Sequence, residues 1–190
     1  MIPPIAVILS WPIIVFLFCR GRGPEITLIF AVLGGYLFLP QQTSIDLPLY
    51  ELNKISVPAY TALIACMIAL SRAKTPMASA KKVNSQWLAG LFPRASIPRV
   101  FILFIVLGAV MTVLTNSDVV IGPGIYLPGL RLHDAGSSVL FALISISPML
   151  LARKFLAHPE GQRLLLIGFL IAGLVYVPLV LFEVRMSPQI

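Results

Sequence analysis

Charge is what this chain has least of. Only 11% of its 190 residues are Asp, Glu, Lys or Arg, and just seven are acidic. A soluble domain carries about 25% charged residues, so a water-soluble globule is excluded. Cysteine occurs twice, as Cys19 and Cys66. Neither stands in a C-x-x-C or other metal-ligand spacing, so both read as small core residues and no metal site is expected. There is no GxSxG, HExxH, P-loop or dinucleotide fingerprint, so no soluble-type catalytic residue or cofactor is legible. A DNA-reading helix and an RNA-binding aromatic signature are missing too. The pI of about 9.9 is therefore no sign of a nucleic-acid partner. Ahead of the apolar stretch Ile5–Phe18 there is no basic n-region, and no A-x-A site follows. A cleavable signal peptide is not expected.

What fills the chain instead is apolar residue. It is 58% hydrophobic with a mean hydropathy of +0.97. A helix needs about 20 apolar residues to cross a bilayer, within a range of roughly 17–25. Six stretches qualify or come close: Ile2–Cys19, Glu25–Pro40, Val57–Ser71, Val100–Thr115, Gly136–Ala152 and Leu164–Phe182. Several are short, so the flanking turns are expected to continue the helices. The runs lack the alternation of a membrane barrel, and unpaired backbone cannot stand in lipid. The expected fold is all-α: a polytopic integral membrane protein with six transmembrane helices and short loops. Residues 1–190 form one transmembrane helical domain.

The few charges are sorted by loop. The odd-numbered gaps hold Arg20, Arg22, Arg72, Lys74, Lys81, Lys82, Arg94, Arg99, Arg153, Lys154 and Arg163. Those are 11 of the 14 basic residues, against two acids, Glu25 and Glu160. The even gaps and the tail hold Lys54, Arg131 and Arg185 against five acids. Short cytoplasmic loops keep Lys and Arg, so the odd gaps face the cytoplasm and both ends of the sequence lie outside. The same basic residues can touch anionic lipid headgroups. In the third gap, Val83, Trp87, Leu88 and Leu91 recur at helical spacing beside Lys81 and Lys82. That spacing predicts a short amphipathic helix in the membrane interface.

Inside the spans, no Asp, Glu, Lys, Arg or His lies deep. Ion-coupled transporters and proton relays place such groups at mid-membrane, so a transporter is the weakest reading. Ser10, Thr61, Thr112, Ser145 and Ser147 are expected to bond backbone carbonyls one turn back. Gly34 and Gly35, Gly108 and Ala109, and Gly168 and Ala172 allow close helix approach, most simply within the chain. Pro12, Pro148 and Pro178 should loosen or kink their helices.

Two polar clusters remain on the outer side. Arg131, His133 and Asp134 precede the fifth span, and Glu183 and Arg185 follow the sixth. An arginine at the membrane surface can grip a diphosphate with two parallel hydrogen bonds. A nearby histidine can act as general base. If the fifth and sixth helices end side by side, the clusters become neighbours. The bland alternative is a solvated loop with ordinary ion pairs.

Several segments carry a family likeness: Gly34-Gly35-Tyr36-Leu37-Phe38-Leu39-Pro40, Leu130-Arg131-Leu132-His133-Asp134, Ala172-Gly173-Leu174-Val175-Tyr176, and Phe182-Glu183-Val184-Arg185-Met186-Ser187-Pro188-Gln189. Together they resemble the N-terminal half of bacterial O-antigen ligase/polymerase-like membrane proteins. The resemblance implies an inner-membrane protein linked to glycan transfer from a polyprenyl-diphosphate lipid at the periplasmic face, with no metal or nucleotide cofactor. By position in the motif, Arg185 is the residue it implies as a diphosphate contact. His133 does not match the family's catalytic histidine, and no catalytic residue is assigned. The sequence ends at Ile190, just after the arginine motif, so the resemblance implies half of such an enzyme. Two readings follow. One is a truncated relative of these enzymes, with Arg185, Arg131 and His133 as candidate diphosphate-binding residues. The other is a non-catalytic accessory subunit of a larger membrane complex, whose partners are lipids and other transmembrane chains.

Overall fold

A computed structural model describes residues 4–41, 43–46, 51–73, 91–93, 95–122, 125–127 and 129–186. Among them are six helices, each lying on one of the six apolar stretches: α1 (Pro4–Phe18), α2 (Pro24–Phe38), α3 (Ser56–Ala73), α4 (Ser96–Thr115), α5 (Leu132–Phe155) and α6 (Pro159–Met186). Two small antiparallel ribbons stand between α2 and α3 and between α4 and α5, where the sequence predicts plain connections. Strand β1 (Ile45–Asp46) pairs with β2 (Glu51–Leu52), and β3 (Val120–Gly122) pairs with β4 (Ile125–Leu127). In the second ribbon Val120 faces Leu127, Ile121 faces Tyr126 and Gly122 faces Ile125. Pro123 and Gly124 separate its strands in the sequence. A Pro-Gly pair between β-branched runs was a readable turn signal.

Three of the six helices are long and apolar enough to cross a membrane: Ser96–Thr115, His133–Phe155 and Pro159–Met186. The apolar helices Ile5–Phe18, Pro24–Phe38 and Ser56–Ser71 are shorter. At 1.5 Å per residue, the 15 residues of α1 rise about 22 Å, short of a hydrocarbon core of about 30 Å. The expectation that flanking turns extend the helices holds for α3, α4, α5 and α6 and not for α2. The stops are chemical. Past the end of α1, Gly21 takes φ +83°, and Arg22 donates its backbone N–H to the Cys19 carbonyl at 3.0 Å. Pro24 then opens α2 at its first position, where its missing N–H costs nothing. At the other end, Leu39 is extended (ψ 140°) because Pro40 follows it.

The long helices run past the predicted spans into polar sequence. Thus His133 and Asp134 stand in the first turn of α5, Arg153 and Lys154 in its last turn, and Arg185 in the last turn of α6. The sequence predicts loops at all of these positions. Acids at helix starts and bases at helix ends offset the backbone dipole, so these turns stay helical outside the apolar stretch.

The core lies where α1, α2, α3 and α5 meet. Helix α3 is its centre, packed against all three others. Its inward face carries small side chains: Ala59, Ala62, Ala65 and Cys66 are buried. Lipid offers no hydrophobic drive between helices, and small residues let backbones close up for dispersion contact. Around them sit Ile8, Trp11, Val15, Leu28 and Leu151. The two cysteines are buried and free, as core residues. Helix α4 rests mainly on α5, and α6 on α2. Of the interfacial helix expected in the third gap, Val83, Trp87 and Leu88 lie outside the described residues; Leu91 is buried in the core.

Candidate functional site

The Arg131, His133 and Asp134 cluster at the start of α5 is a helix cap. Asp134 accepts the backbone N–H of Arg131 in its carboxylate at 2.7 Å, and its own N–H donates to the Arg131 carbonyl at 2.9 Å. This is one half of a capping box; Arg131 has no side-chain acceptor to supply the other half. His133 Nδ1 stands 3.8 Å from Asp134 Oδ1, with the side chains 61% and 41% exposed. An ion pair this open contributes little. The separation also exceeds hydrogen-bonding distance, so Asp134 does not orient the imidazole as a general base.

Arg185 is exposed on the last turn of α6, with no hydrogen bond or ion pair among the described residues. The structure does not bundle α5 with α6 along their length; α6 leaves the turn at Leu156–His158 and packs on α2. The condition that would bring Arg185 beside Arg131 and His133 is therefore not met by helix packing. All three candidates are exposed, and none of them lines the cavities described here.

The hydroxyls expected to bond their own helices do so: Ser10 to Val7, Thr61 to Val57, Thr112 to Gly108, Ser145 to Phe141 and Ser147 to Ile144, at 2.7–3.0 Å. Among the described residues, no group of three or more His, Cys, Asp or Glu is placed to hold a metal ion.

Among the described residues, one concave feature is an apolar groove of about 400 Å³ between α2 and α6. Ile26, Leu33 and Phe38 line one wall, and Ile167, Ile171 and Val175 the other. Its volume lies within the roughly 300–1,000 Å³ of ligand pockets. Local backbone chemistry shapes it. Residues Phe30–Gly34 form a π-helical turn within α2, a feature often found at functional positions. Here Trp11 donates its indole N–H to the Ala31 carbonyl at 3.3 Å, satisfying a group that lipid cannot. A Cβ on Gly34 would lie 2.6 Å from the Trp11 ring, and one on Gly35 would strike the Pro58 ring. The two glycines thus let α1 and α3 close on α2. Gly168 does the same for α6, since a Cβ there would stand 2.6 Å from Ile29 Cγ2.

Arg22 is the charged lining residue, at the mouth on the basic side. Its guanidinium lies 3.9 Å from the Phe18 ring centroid, a cation–π distance. Phe18 in turn stacks on Phe30 at 3.9 Å between centroids, and Phe30 on Trp11 at 5.8 Å. A column of three aromatic rings therefore holds the cation at the end of an apolar channel. The sequence signal for it was present: Phe18, four residues before Arg22, and the small pair Gly168 and Ala172. Only the packing of α6 on α2 shows that they share a site. No protein-family model, no curated protein and no solved structure matches this chain.

Proposed function

We propose that the chain is a six-span protein of the bacterial inner membrane, with both ends of the sequence periplasmic, and that it serves as a non-catalytic helical subunit of a larger membrane assembly. One observation carries the reading. Helix α6 is 28 residues long, mean hydropathy in its apolar window is 2.7, and none of that window is buried. It presents apolar side chains on every face except the strip that meets α2, with Leu170, Leu174 and Leu181 each 64–66% exposed. Helix α4 is similarly open, with 6% of its window buried. Helices of this kind suit lateral packing against other transmembrane helices, where Gly108, open to space, permits close approach. The charge asymmetry supports the orientation. For the three shorter helices, local bilayer thinning compensates the missing length.

The decisive experiment is mild extraction of native membranes and identification of what migrates with the chain. Migration within a large complex of fixed stoichiometry is expected; migration as a lone monomer would sink the reading. A second reading, transfer of glycan from a polyprenyl-diphosphate donor at the periplasmic face, is favoured by the exposed guanidinium of Arg185, which has no partner among the described residues. It predicts that Arg185→Ala lowers surface glycan by at least about tenfold, the loss of one charge-assisted bidentate contact. Unchanged glycan in cells that depend on the gene excludes it.

A further inference from the structure

The groove between α2 and α6 has an apolar body and a single cationic end, and that combination describes a lipid more closely than a helix. We infer that it holds one acyl chain of an anionic phospholipid of the cytoplasmic leaflet, with the headgroup phosphate on Arg22. The inference rests on the proposed membrane orientation.

Three observations carry it. The first is length. Along α6 the lining runs from Leu164 to Val175, a rise of about 16 Å. One leaflet contributes half of a hydrocarbon core of about 30 Å, so the groove accepts a tail from one leaflet and not a helix crossing both. The second is charge. Arg22 stands in the turn between α1 and α2, on the side that the proposed orientation makes cytoplasmic, with Arg20 two residues away and lining an adjoining cavity with it. An anionic headgroup complements this end, whereas the cytoplasmic flank of a partner helix tends to bring further positive charge. The third is preparation of the cation. Arg22 is fixed over Phe18 at 3.9 Å. Its guanidinium makes no hydrogen bond or ion pair among the described residues, which leaves its planar fork for phosphate oxygens.

The test uses the full chain in detergent micelles, probed by native mass spectrometry with phosphatidylglycerol and phosphatidylcholine. The wild type should retain one phosphatidylglycerol per chain, with about tenfold preference over the zwitterionic lipid, as one charge-assisted contact implies. Arg22→Gln, at an exposed position, should hold the two lipids equally. Ile171→Trp, which fills the groove from an exposed position, should reduce retention of both. A photo-crosslinking residue at position 167 should capture an acyl chain. Undiminished preference in Arg22→Gln, equal retention by the wild type, or capture of a second polypeptide overturns the inference. Orientation is checked separately by labelling a cysteine at position 20 in intact cells. Labelling from outside removes the topology beneath the inference, whereas lost selectivity with correct labelling removes the lipid site alone.

Discussion

The indole of Trp11, the π turn of α2 and the pair Gly34–Gly35 act together at the residue scale. A buried indole N–H in lipid needs an acceptor, and Ala31 supplies its carbonyl. The glycines hold that arrangement because any side chain there enters Trp11 or Pro58. Gly35→Ala is expected to cost about 1–3 kcal/mol, the usual range for overpacking a filled core. Gly108→Ala, open to space, should be neutral or stabilise by up to about 1 kcal/mol, as expected for Gly to Ala in a helix. Equilibrium unfolding of the two variants in mixed micelles checks both; equal effects would contradict the packing. The candidate residues divide at this scale as well. Asp134 is explained by capping, whereas Arg131, His133 and Arg185 are exposed groups that the packing does not use.

Among the elements, α3 and α6 are opposites. Helix α3 is buried because its side chains are small, not because it is the most hydrophobic. Helix α6 is the more apolar of the two and lies outside. In water this order would be reversed; in lipid, apolarity alone buries nothing. The attachment of α6 depends on Gly168 against Ile29. Gly168→Leu should therefore separate α6 from α2, seen as loss of cross-linking between cysteines at positions 33 and 171. Leu174→Ala, at a residue 66% exposed, should change stability by less than about 0.5 kcal/mol. If Leu174→Ala destabilised the isolated chain and Gly168→Leu did not, the placement of α6 would be wrong.

At the scale of the whole molecule, the proposed orientation rests on a handful of charges. Arg153, Lys154 and Arg163 flank the turn between α5 and α6. Replacing all three with Gln should weaken retention of that turn in the cytoplasm. A reporter fused after His158 should then appear partly outside, whereas with the native charges it stays inside. No change in the reporter would mean that the other loops set the orientation alone.

Composition and hydropathy determined that the protein is helical, where its six apolar helices lie, and which loops are basic. These are one-dimensional properties: backbone bonds within a helix are local, and partition into lipid depends on a segment's summed side chains. Capping residues could have extended the ends correctly, since Asp134 and Arg185 both sit at dipole-favoured positions. The tertiary structure alone decided which helices are central and that α6 leans on α2 instead of α5. It also brought Phe18 and Arg22 to the groove lined by α6. Those outcomes depend on which small residues face one another across the bundle. Between two apolar helices in an apolar solvent, hydropathy carries no record of that choice.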